Sequence, residues 1–381
     1  MERRNVGILG ATGAVGQRFI QLLADHPWFN ITWLAASDRS AGKTYAEACA
    51  WRLDTPLPTR IAEMVLQPNT PEAAGVELPR IIFSSVDAPI ARELEPQFAA
   101  AGCAVISNSS AFRMAPDVPL VVPEVNVDHL EVIEAQATRK LSGGYIVTNP
   151  NCCAIGLVLP LAPIHQRFGI EKLFVSTMQA VSGAGYPGVP SLDILGNVIP
   201  FIKNEEEKLQ EEVGKLLGAI RFEGDEARGF VAADTAVSAM CNRVPVLEGH
   251  TECVSMKLRT PATHDDVLEA WQSFQPLSGR GHEGLHLPSA PLHPVVYEDA
   301  HTRPQPKLDL MRGNGMATTV GRLRPCTLFD WKFTLLSHNT IRGAAGAAIL
   351  NAEILAVLGK FDFRRFPTVA SNSLEESAVP A

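Results

Sequence analysis

The 381-residue chain contains no apolar run approaching the roughly 18–20 residues that a membrane-spanning helix needs. Its N-terminus, MERRNVGILG, carries two arginines, but the apolar stretch behind them is short and broken by glycine. No signal peptide is expected, and the cytoplasm is the expected compartment. Charge is sparse, at 19% Asp, Glu, Lys and Arg, and the balance is acidic, at −8. Such a field draws in neither nucleic acid nor an anionic membrane. An anionic small molecule would have to be held by a few placed Arg or Lys side chains. Cysteine lacks a pattern: seven residues at 49, 103, 152, 153, 241, 253 and 326, an odd number without regular spacing. That fits neither a disulfide framework nor a zinc site, so reduced thiols and no metal are expected. No internal repeat or low-complexity tract is present. Apolar residues are ample, at 46%, and a chain of this length suits two domains.

The first 150 residues alternate short apolar runs with helical stretches. NVGIL precedes a helical pattern at Gln17–Leu23, and ITWLAA, RIIFSSV, AVISNS, LVVPEV and YIVTNP follow. Apolar runs separated by helices predict a parallel sheet with crossovers. After residue 150 the runs lengthen and alternate (KLFVSTMQAV, HTECVSMKLRT, TLFDWKFTLLS), as strands with one covered face do. NEEEKLQEEVGKLL and DDVLEAWQSF read as helices between them. Residues 275–306, rich in Pro, Gly and His, read as loop, and IRGAAGAAILNAEILAVLG as a long helix packed closely on something, with a fraying tail of a dozen residues behind it.

Two turns carry the chemistry. In NVGILGATGAVGQRF, Gly10, Gly13 and Gly16 lie between a strand and a helix, with Thr12, Ala14 and Val15 among them. Glycines there let the backbone approach a pyrophosphate set on the helix N–H groups. The second strand ends at Ser37-Asp38-Arg39-Ser40. Arg39 between two hydroxyls suits the extra phosphate of NADP, while Asp38 keeps NAD open. Ser84, in RIIFSSV, is a further candidate cofactor contact. In YIVTNPNCCAIG, a strand ends at Thr148, Asn149-Pro150-Asn151 turns the chain, and Cys152 opens a helix, where the dipole and free N–H groups favour a thiolate. A thiolate can attack an aldehyde and carry the acyl group as a thioester. Cys153 points into the core on this reading. Pro160 and Pro163 should kink or end the helix.

Asn-Pro-Asn-Cys at this distance from an N-terminal G-x-T-G-x-V-G resembles the aspartate-semialdehyde dehydrogenase family, nearest to its archaeal and fungal branch, from Gly10 to the last helix. The resemblance implies a Rossmann-type dinucleotide-binding domain over 1–150, completed by a C-terminal helix at 339–365. It implies an α+β catalytic and dimerisation domain over 151–338, with a mixed, largely antiparallel sheet as in glyceraldehyde-3-phosphate dehydrogenase. Its site residues carry over motif by motif. In SNSSAFRM, Arg113 binds the phosphate or acyl phosphate. In NPNC, Asn151 contacts substrate beside the Cys152 nucleophile. In TMQAVSGAG, Gln179 holds substrate, and Ser182 and Gly183 admit the nicotinamide. In NEEEKLQEE, Glu205 contacts the substrate amino group and Lys208 the phosphate, with Glu206 and Glu207 leaving the register open. In NRVPVLEGHTE, Arg243 clamps the carboxylate and His250 is the general base. In LLSHNTIRG, Asn339 contacts the nicotinamide. The implied reaction is reversible, NADP-dependent conversion of L-4-aspartyl phosphate to L-aspartate 4-semialdehyde and phosphate. It serves lysine, methionine, threonine and isoleucine biosynthesis in a homodimer or homotetramer, with no metal, nucleic acid or membrane partner. The alternatives are an acyl-CoA reductase resembling malonyl-CoA reductase, N-acetyl-glutamyl-phosphate reductase, and a dinucleotide-binding sensor without activity.

Overall fold

A computed structural model describes residues 3–72, 77–274 and 286–362. Six short strands pair in parallel: β1 (Arg4–Leu9), β2 (Phe29–Ala36), β3 (Gln67–Pro68), β4 (Ile81–Ser84), β5 (Ala104–Ser107) and β6 (Tyr145–Thr148). Their order, β3-β2-β1-β4-β5-β6, reverses beside β1, and the crevice at such a switch point is where doubly wound sheets take ligands. The strands are nearly all apolar because helices cover both faces. The Ala14–Leu23 helix buries Phe19, Ile20 and Leu23, and the Ala88–Ala100 helix buries Ala91, Phe98 and Ala99.

LVVPEV does not form a strand. Leu120 makes a single bridge to Thr148, and Pro123 opens a short helix, Pro123–Asn126. Proline has no N–H to give a ladder but suits the first turn of a helix.

The second sheet has order β10-β7-β11-β14-β13-β12, with β7 (Ile170–Gln179), β10 (Ala236–Arg243), β11 (His250–Leu258), β12 (Val295–Glu298), β13 (Thr318–Pro325) and β14 (Trp331–Ser337). The pairs β7–β11, β11–β14 and β13–β14 are antiparallel, and β7–β10 and β12–β13 parallel. A hairpin of β8 (Ala219–Glu223) and β9 (Glu226–Val231) stands apart. Strand β12 falls inside the segment read as loop; residues 275–285 of that segment, the fraying tail and positions 363–365 of the last helix lie outside the described residues. One face of the sheet offers Val175, Val254, Met256, Phe333 and Leu335 to Leu157, Val158 and Leu161 of the Cys152–Phe168 helix, and to Leu209, Val213 and Trp271 of two others.

The Cys152–Phe168 helix runs through Pro160 and Pro163 without ending. Every residue from Cys153 to Ile164 is buried, so packing on all sides overrides the local cost of two lost N–H donors. Part of the polar frame is satisfied from outside: the Trp271 indole N–H donates to the Pro160 carbonyl at 2.9 Å.

The C-terminal segment is not one uniform helix. A π-helical turn, Ile341–Ala345, precedes the Gly346–Val357 α-helix. Ile349, Leu350, Ile354 and Leu355 belong to the core of the first sheet, with Val6, Ile8, Phe83 and Ile106. Each such side chain removed from water contributes about 1.5–3 kcal/mol. Arg342, wholly buried in the π-turn, makes two parallel bonds of 2.7 Å to the two oxygens of Glu124.

Candidate active site

The nucleophile turn is tied down at both of its asparagines. The Asn149 amide donates to Asn108 Oδ1 (2.8 Å) and the Ala344 carbonyl (3.0 Å), and its own oxygen accepts from Asn351 at 2.5 Å. Asn151 caps the helix: Oδ1 accepts from the N–H of Cys153 (2.8 Å) and Ala154 (3.3 Å). Its amide nitrogen donates to Glu205 Oε1, and its backbone N–H to Glu212 Oε2 at 2.5 Å. Cys152 is thus left at the helix N-terminus, partly exposed, with Sγ 3.1 Å from His250 Nε2. Its thiol is held well below the usual range by hydrogen bonding from the Cys153 thiol, then by the neighbouring His250 and Arg113, which outweigh burial.

Behind it lies an unforeseen group. Cys153 is buried, as its placement in the core required, yet its sulfur stays within 4.8 Å of both Cys152 Sγ and a ring nitrogen of His250. Glu252, fully buried, has no nitrogen or oxygen partner among the described residues for either carboxylate oxygen, and its polar neighbour is the Cys153 thiol. Burial, then the Cys152 charge, push the Glu252 carboxyl well above its usual range. Strand alternation put it on the face of His250, two residues earlier, and that was the available signal. Because the folded state holds this proton more tightly than the unfolded chain, stability falls as pH rises from the unfolded toward the folded value. Glu252→Gln is expected to flatten that slope; unchanged pH dependence of the urea midpoint would show Glu252 already ionised.

One cavity brings together Ala14, Val15, Arg113, Asn151, Cys152, Ser182, Gly183, Glu205, Lys208 and Asn339. On the Glu205–Leu216 helix the register resolves: Glu205 faces Asn151, Glu206 accepts from the Cys241 N–H at 2.9 Å, and Glu207 is exposed. Burial, then the Cys152 charge, raise the Glu205 carboxyl. Seven residues on, Glu212 returns to the same face and takes Arg113 Nη1 at 2.9 Å, while Lys215 donates to the carbonyls of Arg113, Ala115 and Val118. This helix therefore sets both the Arg113 segment and the nucleophile turn, which the Glu-x-x-Lys pattern alone did not reveal.

Gln179 and Arg243 end the paired strands β7 and β10 side by side, buried and outside the lining of that cavity. A Cβ on Gly183 would lie 2.8 Å from Arg243 Nη1 and 3.1 Å from the His250 ring, so only glycine lets this turn close over them. Gly343 does the same for Cys152, whose Cβ would stand 2.7 Å from an added methyl. Gly343→Ala is expected to lower kcat about 100-fold, since displacements near 1 Å carry such losses. Near-normal kcat in the folded variant would show that the sulfur tolerates the shift.

The glycine turn fits a pyrophosphate. Gly10 has φ +73°, and a Cβ on Gly16 would lie 2.3 Å from the Gly10 carbonyl. Among the described residues no side chain caps the Ala14–Leu23 helix, which leaves its first N–H groups for a ligand. Thr12 faces an adjoining cavity with Arg18 and Arg52. Ser84 is fully buried, and Ser85, hydrogen-bonded to the Leu9 carbonyl at 3.0 Å, lines the cavity. Ser37 and Arg39 are exposed and Ser40 half-buried beyond the end of β2, away from Cys152. Asn339 accepts from the Gly249 N–H and donates to Ser182 Oγ, both at 2.8 Å. Arg18, from the first helix, pairs with Glu248 at 2.5 Å and so links the glycine turn to the loop before His250, a contact no motif announced.

A cysteine beside an imidazole, facing a dinucleotide-type turn across a crevice, places the chain among the dehydrogenases, with a thiol able to carry an acyl group. Its relatives are dehydrogenases. Semialdehyde dehydrogenase, NAD binding domain, matches residues 5–133, and semialdehyde dehydrogenase, dimerisation domain, matches 161–342. The chain is 52% identical over 355 residues to the aspartate-semialdehyde dehydrogenase of Methanothermobacter thermautotrophicus, covering 92% of this chain and 98% of the other. It is 49% identical over 353 residues to that of Archaeoglobus fulgidus, covering 93% and 98%. The structure of aspartate semialdehyde dehydrogenase with NADP from Candida albicans superposes with a TM-score of 0.84 at 43% identity, over 93% of this chain and 99% of that one. The chain belongs to the aspartate-semialdehyde dehydrogenase family.

Proposed function

We propose that the protein is an NADP-dependent aspartate-semialdehyde dehydrogenase, acting in amino-acid biosynthesis through a Cys152 thioester. The observation that carries this is the 3.1 Å approach of His250 Nε2 to a Cys152 sulfur at a helix N-terminus. Two cations, Arg113 and Lys208, line the same cavity. In the biosynthetic direction the Cys152 thiolate attacks the acyl carbon of L-4-aspartyl phosphate, and phosphate leaves into the field of Arg113 and Lys208. Glu205 receives the substrate amino group, with Asn151 beside it. Arg243 receives the carboxylate, with Gln179 next to it. When bound, the nicotinamide supplies the hydride that converts the thioester to the aldehyde.

The glycine turn, with Gly10, Thr12, Gly13, Ala14, Val15 and Gly16, would hold the pyrophosphate. Ser182, Gly183 and Asn339 would hold the nicotinamide end, and Ser37, Arg39 and Ser40 the 2′-phosphate. NADP accompanies the Candida albicans relative, which supports that choice. We also propose the division of the chain at about residue 150, with the last helix completing the first domain, and self-association through the second. Tyr186, Leu192, Leu195, Val198, Phe201 and Met240 expose apolar surface there, of the kind that marks an interface. Among the described residues no helix is long and apolar enough to cross a membrane.

The test is NADPH formation from L-aspartate 4-semialdehyde with and without phosphate. A phosphate-dependent signal supports the reading. No signal, with NADPH consumed by malonyl-CoA, would replace the substrate while keeping the thioester.

A further inference from the structure

We propose that Glu252 is a positioning residue for the Cys152 sulfur: its carboxylic acid donates to the Cys153 sulfur, and the Cys153 S–H is thereby turned onto Cys152. The role rests on Cys152 being the nucleophile, as proposed above.

Glu252 lies on the covered face of the second sheet, beneath the start of the Cys152–Phe168 helix. Its neighbours across the strands are Thr177 of β7 and Leu335 of β14, with Cys241 of β10 beyond Thr177. A Cβ on Gly156 would stand 3.7 Å from Glu252 Oε1 and 2.7 Å from Ser337 Cβ, so the helix rests directly on the strands at this point. Gly156 is three residues after Cys153 and shares its helix face. The hydroxyls nearby do not serve the carboxyl. Thr177 accepts from the Gln179 amide at 3.3 Å, and Ser337 Oγ has no partner among the described residues. The titratable groups that face Glu252 are Cys152 and Cys153 on the helix, Cys241 on β10, and His250 two residues back on β11. Among the described residues no cation bonds to it.

A carboxylate enclosed in this way, without a cation, costs more than the acid, so Glu252 keeps its proton. The acid has one O–H to donate, and its polar neighbour is the Cys153 thiol. Cys153 has a single S–H for two acceptors. An ionised Glu252 would compete with Cys152 for it; a neutral Glu252 donates to the sulfur instead. The S–H then turns to the thiolate, since bonds to an ion are roughly twice as strong as neutral ones. The two sulfurs lie within 4.8 Å of each other. Burial, then the bond to Cys152, hold the Cys153 thiol well above its ordinary range, so that proton also stays. The donor matters whenever Cys152 carries charge: before it attacks the acyl carbon, and when the C–S bond breaks to release the aldehyde. Glu252 and Cys153 end each step protonated.

The pH dependence of Cys152 alkylation by iodoacetamide, followed by mass spectrometry of its peptide, reads this arrangement in the full chain. Glu252→Met keeps length and bulk but has no donor. It is expected to raise the alkylation midpoint by about 1–2 pH units, the worth of one hydrogen bond to a charged group. Glu252→Gln offers an N–H in place of the O–H and is expected to stay near the wild-type midpoint. In a Cys153→Ala background Glu252→Met is expected to add no shift, because its effect passes through Cys153. An unmoved midpoint in Glu252→Met, glutamine moving with methionine in either direction, or an added shift without Cys153 overturns the proposal. Infrared difference spectra of wild type against Glu252→Gln read the proton itself and need no methionine variant. A buried carboxylic-acid C=O band is expected at neutral pH in wild type alone, and its absence overturns the proposal. Failure of wild type to reduce aspartyl phosphate would sink the substrate reading alone, because alkylation is read without turnover.

Discussion

Cys152→Ala is expected to show no measurable turnover while binding NADP as wild type does. Removing a nucleophile that works with a partner as one unit costs on the order of 10⁶ in kcat. Alanine fits the space and leaves the Asn151 cap and its bonds to Glu205 and Glu212 in place. Fluorescence titration with NADPH should therefore match wild type. Cys153→Ala separates the neighbouring thiol. Its hydrogen bond is the foremost influence holding the Cys152 thiol low, so its loss should shift iodoacetamide alkylation of Cys152 toward the pH range of an ordinary cysteine, with a smaller fall in turnover. A dead Cys153→Ala beside an active Cys152→Ala would assign the thioester to the wrong sulfur.

Glu124→Gln is expected to destabilise the protein by about 3–5 kcal/mol, the usual result when one member of a buried ion pair is removed. Arg342 has no exposure, and both of its terminal nitrogens bond to Glu124 at 2.7 Å. Glutamine could meet only one of those donors and would leave a buried cation uncompensated. Urea denaturation should show the loss. Replacing both partners, Glu124→Leu with Arg342→Leu, should recover much of it, because the double change removes the charge along with its partner. A Glu124→Gln midpoint within experimental error of wild type would mean that water reaches the guanidinium.

What the sequence made legible were elements whose local pattern and tertiary role agree. The glycine turn, the helix start at Cys152 and the alternation in β7 and β11 are short-range signals, and each is where it was expected. LVVPEV misled because a run of apolar residues is equally a strand or a buried turn, and Pro123 decides for the turn. Pro160 and Pro163 misled in the other direction, since their local cost is real but the helix around them is packed on all sides. At the site, motifs supplied the atoms that meet substrate but not those behind them. Glu212 and Arg18 act through contacts across 61, 99 or 230 positions of chain, and Glu252 by an enclosure whose polar neighbour is the Cys153 thiol. Such pairings leave no spacing to read.

The Gly346–Val357 helix has a consequence for the order of events at the ribosome. Its Ile349, Leu350, Ile354 and Leu355 finish a core that begins at Val6, so a core begun with β1 waits for a helix synthesised long after it. During synthesis of everything between, the apolar floor that awaits this helix stays open to water and to other nascent chains. Emergence of this helix then closes the floor and, through Asn351 on Asn149, locks the nucleophile turn at the same moment. A chain cut short before residue 346 would have its Cys152 but neither the sealed core nor the fixed turn, and chaperones would meet it as an unfinished protein.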